Sequence, residues 1–140
     1  MTLPNLMQHL DTYYANTITQ NGADLIQIKN ILNHADMLGA GAYDYAYRDS
    51  FSTFNLRISS AIEQGDPVLV KVKPKTVYGS GWSSTHYICV MGYDVHTERA
   101  IVSDCTYNSN QFGIHSIPIS SLYNGAITSS ACLAIPSNVK

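Results

Sequence analysis

The sequence predicts an α+β domain in which helices come first and an antiparallel sheet follows. Three observations carry this reading. Apolar residues recur at helical spacing over about the first 65 positions, they alternate with polar residues in short runs after that, and turn-forming residues separate the runs. With 140 residues, 45% of them hydrophobic and 13% charged, the chain has the size and composition of one globular domain. The expected division is a single domain over 1–140, with a helical part over about 1–65 and a sheet part over about 66–140.

Leu3, Leu6, Met7, Leu10, Tyr13 and Tyr14 share one helical face behind Thr2 as a cap, with Pro4 tolerated in the first turn. A second helix runs over Ala23 to Asn33, with Leu25, Ile28, Ile31 and Leu32 on one face. "HADMLGAGA" reads as a loop, and the alternating tyrosines Tyr43, Tyr45 and Tyr47 as a short strand. Ser50 then caps a third helix carrying Phe54, Ile58, Ala61 and Ile62, which stops at Gly65. Asp66-Pro67 turns the chain into the strand "VLVKVK", and "PKTVYGSGWSS" is expected to be a flexible loop. "HYICVMGY" and "AIVSD" form two strands joined by "DVHTER"; further strands follow at "GIHSIPI" and "SACLAIP", with a short helical turn at "SSLYNG" between them.

The formal net charge is -2, and the eight Lys and Arg residues are scattered, so no basic patch is available to neutralise phosphates. Nucleic acid is disfavoured as a partner. No apolar run reaches the roughly 18 residues that a membrane helix needs, and the first residues have neither the basic nor the apolar region of a signal peptide. A low charged fraction together with abundant Tyr, Ser, Asn and Thr fits a secreted or cell-surface protein.

Chemistry is carried first by His86 and Asp104. If their strands pair across the 94–99 turn, the start of one lies near the end of the other, and an imidazole meets a carboxylate. That is a base with its orienting group. A metal site at His86, Cys89 and His96 is disfavoured, because positions 86 and 89 of one strand point to opposite faces. His9, His34 and His115 have no partner by sequence. Of the three cysteines, Cys89 and Cys132 fall in apolar strands and read as small hydrophobes, while Cys105 directly follows Asp104 and opens a polar loop. An odd count leaves one thiol over if any pair, and the spacing matches no zinc or redox motif.

The order "GDPVLVKV", a Gly-rich loop, "THYICVMGYD" and "AIVSD" resembles the C-terminal part of the papain-like cysteine peptidases of family thirty-nine, the bacteriocin leader peptidases and their secreted relatives. "NGADLIQIKNILN" and the helix ending at Gly65 are similar to the connecting region of the secreted relatives. The resemblance implies a papain-like fold, hydrolysis of peptide bonds with no cofactor, a peptide or protein substrate, and cleavage after a small residue. It makes His86 the general base and acid, and Asp104 its orienting partner.

Two departures stand out: Asp104 is followed by Cys105 where the family has Pro, and the 140 residues contain no Cys-Gly-Pro segment and no Gln preceding one. The resemblance therefore implies a domain incomplete at its N-terminus. Its cysteine would be supplied upstream or by another chain, and the 140 residues alone would be inert. Such a domain would be completed by a complementing chain or by self-association. The alternative is a catalytically inactive peptidase-like module that binds a peptide or protein, for which tyrosine-rich surfaces are well suited.

Overall fold

The computed structural model describes residue 25 and residues 42–79, 84–104 and 112–140. The chain divides into two compact units, Met1–Tyr43 and Asp44–Lys140. Leu25 is helical and buried, at the position where the second helix is expected; the rest of that helix, the first helix, His9 and His34 lie outside the described residues.

The second unit is organised by a six-stranded sheet. Its strands are β1 (Tyr43–Ala46), β2 (Val68–Val72), β3 (His86–Asp94), β4 (Arg99–Asp104), β5 (Gly113–Pro118) and β6 (Leu133–Pro136), in the order β1-β6-β2-β3-β4-β5. The β2–β3, β2–β6, β3–β4 and β4–β5 pairs are all antiparallel. Helices α1 (Phe51–Glu63), α2 (Pro74–Tyr78) and α3 (Ile119–Gly125) interleave with the strands. Their apolar residues join alternate strand residues in one core: Phe54 and Ile58 of α1, Val77 of α2 and Leu122 of α3 pack with Val70, Ile88, Val90 and Val102. The arrangement is α+β. None of the described helices is long and apolar enough to cross a membrane.

The ends of α1 follow from local chemistry. The Ser50 hydroxyl accepts the Thr53 backbone N–H at 3.2 Å, satisfying one of the unpaired donors of the first turn. At the other end Gly65 takes φ 87°, and the Gly65 and Asp66 N–H groups return to the carbonyls of Ile62 and Ala61 at 3.0 and 2.9 Å. This double closure is what a left-handed glycine after a helix makes possible. Tyr47 lies beyond β1 and is exposed, so the aromatic alternation of Tyr43, Tyr45 and Tyr47 does not continue as one buried face.

One expectation is corrected. "PKTVYGSGWSS" is not all loop, because its first five residues form α2. Pro74 sits in the first turn, where its missing N–H costs nothing, and Gly79 ends the helix at φ 77°. Five residues are too few to hold a helix by propensity, so packing must hold it. Val77 is buried against α3 at Gly125, where an added Cβ would stand 2.4 Å from Val77 Cγ2. Gly125→Ala is therefore expected to push α2 off its seat and destabilise the unit by about 1–3 kcal/mol, read as a lower midpoint in urea unfolding.

The β3–β4 hairpin carries a bulge. Near its turn Asp94 faces Arg99 and Gly92 faces Ile101, but farther down Val90 faces Val102 and Cys89 faces Ser103. Met91 is the extra residue, inserted between Val90 and Gly92. At the turn itself, Asp94 Oδ1 accepts the His96 backbone N–H at 2.9 Å, a bond that draws the Asp94 carboxyl below its usual range.

Candidate active site

The bulge decides which way Asp104 points. Were the register of Asp94 with Arg99 continued unbroken, Asp104 would stand opposite Cys89, and directly opposed residues share a face of the sheet. Asp104 would then face away from His86, whose parity on β3 differs from that of Cys89. Absorbing Met91 shifts the lower register by one, so Asp104 follows Ala100 and Val102 onto the face that carries His86, Ile88 and Val90.

There the two side chains meet. His86 Nε2 lies 2.8 Å from Asp104 Oδ1; the His86 side chain is 19% exposed and that of Asp104 is 0% exposed. A carboxylate only accepts, so Nε2 is the nitrogen that carries the proton and donates, leaving the lone pair of the neutral ring on Nδ1. The second carboxylate oxygen, Oδ2, accepts the Tyr78 hydroxyl at 2.7 Å. A fully buried carboxylate is costly unless its oxygens accept good hydrogen bonds, and these two are short and charge-assisted. Burial, then the hydrogen bond to Asp104, then its charge push the Tyr78 phenol above its ordinary pKa, so it remains a donor at neutral pH.

His115 of β5 stands opposite Val102 and so shares the same face, with its ring centroid 5.3 Å from that of Tyr78. Sequence reasoning passed over both residues, leaving His115 without a partner and Tyr78 in a loop. A usable signal for Tyr78 was present in the sequence: Pro five residues ahead of Gly, with Val77 between them, is the helix-start and helix-stop asymmetry.

The other candidates are dispersed. Cys89 faces Ser103 on the opposite side of the sheet from His86, and burial pushes its thiol upward. Cys132 is fully buried, its backbone N–H held by the Ala46 carbonyl at 2.9 Å and its thiol pushed up to about 12, chiefly by burial. Neither has the electropositive, accessible setting of a nucleophilic thiolate. Cys105 lies outside the described residues. His96 sits exposed in the 95–98 turn, at the far end of β3 from His86. Among the described residues no three His, Cys, Asp or Glu side chains come together as a metal site. A cavity of about 270 Å³ opens at that same turn end, beside Phe51, Val95 and Ile119, and shares no residue with the His86–Asp104 pair.

Residues 5–126 match the Peptidase_C39 like family. No curated protein matches the chain. The family match spans most of the 140 residues and includes both His86 and Asp104. This chain, with an antiparallel six-stranded sheet that brings an imidazole and a buried carboxylate together, belongs to the Peptidase_C39 like family.

Proposed function

We propose that the chain is a peptidase-like domain in which His86 is the general base and acid and Asp104 its orienting partner in a Cys-His-Asp peptidase. The observation that carries this reading is the 2.8 Å contact between His86 Nε2 and a carboxylate oxygen of the fully buried Asp104. With Nε2 tied to Asp104, the basic nitrogen is Nδ1, and the nucleophile belongs on that side of the ring. In the reaction proposed, Nδ1 takes the thiol proton and the sulfur attacks the scissile carbonyl carbon. The imidazolium returns its proton to the leaving amine, and water, activated by the same nitrogen, hydrolyses the thioester. Asp104 holds the ring in this tautomer and stabilises its cationic form without itself taking the proton.

The fold proposed is papain-like and forms a single domain, with its face-packed helices and its histidine at the start of a sheet strand as support. The substrate is a peptide or protein, the thiolate comes from a cysteine upstream or on another chain, and the setting is secreted or at the cell surface.

The test is to treat the native source protein with a thiol-directed, active-site-selective inhibitor and locate the modified residue by peptide mass mapping. One cysteine is expected to react, and His86→Ala should slow that reaction by about 10²–10⁴-fold, the usual contribution of a positioned base. Equal labelling rates in the two proteins would remove the peptidase reading and leave a peptide-binding module, for which unchanged ligand affinity in His86→Ala would be the positive sign.

A further inference from the structure

We infer that Tyr78 is a positioning residue for the His86–Asp104 pair: its hydroxyl holds the second oxygen of the Asp104 carboxylate so that the first remains aimed at the imidazole. The inference rests on the peptidase reading for its consequence in catalysis, but its geometry stands without it. Tyr78 donates to Oδ2 at 2.7 Å while His86 meets Oδ1 at 2.8 Å, so the carboxylate is gripped at both oxygens within its burial. A carboxyl group is free to rotate about its Cβ–Cγ bond, and a donor on each oxygen removes that freedom.

The helix that carries the phenol is held at two points, and the ring itself at a third. Val77, its neighbour on α2, is wedged against Gly125 of α3, where a Cβ would stand 2.4 Å from Val77 Cγ2. The Lys73 N–H at the start of α2 is bonded to the Gly125 carbonyl at 2.8 Å. The Tyr78 ring lies tilted against His115 of β5. The Val77–Gly125 contact sets the height of α2 above the sheet and hence the reach of Tyr78 to Asp104.

Among the described residues, the titratable groups facing the pair are Tyr78 from α2 and His115 from β5, and both enter the test. Loss of the Tyr78 hydroxyl destabilises every state in which Asp104 is ionised. The state with no proton and the state with one proton on the ring both carry that charge, whereas the doubly protonated state does not. The lower apparent pKa of the coupled pair, at which the carboxyl takes its proton, must therefore rise.

The experiment is an NMR titration of the assigned His86 and His115 rings in the full chain, comparing wild type with Tyr78→Phe and Gly125→Ala, with thermal unfolding of each. Tyr78→Phe is expected to raise the lower apparent pKa of the pair by roughly one pH unit, read as the acid-side step in the His86 ring shifts. Gly125→Ala should move it in the same direction by less, and neither variant should move His115 as far. A Tyr78→Phe protein that loses thermal stability while that lower step stays in place would make Tyr78 a structural strut and overturn the proposal. A lower step that falls would overturn it too. Because the titration needs no nucleophile, a raised pKa together with absent inhibitor labelling would sustain the role of Tyr78 and remove the peptidase reading alone.

Discussion

Asp104→Asn is expected to slow inhibitor labelling of the source protein, and any peptide hydrolysis it performs, by about 10⁴-fold, the scale known for amide-for-carboxylate replacement beside a catalytic histidine. The physical cause is tautomeric. An amide facing His86 Nε2 can present its NH₂, which selects the ring form with the proton on Nδ1 and removes the lone pair from the side where the proposed nucleophile stands. Tyr78 still has an acceptor in the amide oxygen, so the fold should be largely kept. Asp104→Ala differs, because it leaves the Tyr78 hydroxyl and His86 Nε2 without the carboxylate they share at 2.7 and 2.8 Å. Its cost is expected on the order of 2–4 kcal/mol of stability, read by urea unfolding. An Asp104→Asn protein that labels at the wild-type rate would show that the carboxylate does not govern the chemistry.

Phe54→Ala should cost about 3–5 kcal/mol, the largest stability loss expected from any single core truncation in this unit. Phe54 is fully buried on α1, and its ring meets Tyr123 of α3 edge to face, with centroids 5.2 Å apart. It therefore bridges two helices over the same core that Val70, Ile88 and Val102 form from the sheet. Truncation removes apolar contact, leaves a cavity and breaks the aromatic pair. For a unit of this size the loss corresponds to a fall in Tm on the order of 15 °C or more. A fall of only a few degrees would mean that the neighbours collapse into the space and that α1 is not the keystone of the core.

Those two sites differ in how far the sequence disclosed them. Helix α1 was fully legible, since Ser50, the 54–58–61 stripe and Gly65 are all local signals that act within a turn or two. The alternating strands were legible for the same reason, as was the short helix at "SSLYNG". Helix α2 was not. Five residues around a Gly-rich stretch carry too little periodicity to register, and what stabilises them is a contact with Gly125, some fifty residues away in the sequence. With α2 read as loop, Tyr78 had no fixed place, and neither did the ring of His115 that packs on it.

The His86–Asp104 pair lies between these cases. The two residue types and their positions near opposite ends of a hairpin were visible in the sequence, and so was the family pattern around them. Regular pairing from the 94–99 turn, however, would have sent Asp104 to the face of Cys89. The extra residue Met91 rescues the geometry.

By itself, then, the order of residues determined which strands and capped helix could form, which chemical groups were on hand, and the family to which the chain belongs, because those rest on short-range periodicity and side-chain identity. Only the tertiary structure decided that imidazole, carboxylate and phenol converge. Face parity along one strand is local, but the register between two strands is set by what each buries: Val90 and Tyr93, three apart, both pack on the core, and only a bulge between them allows it.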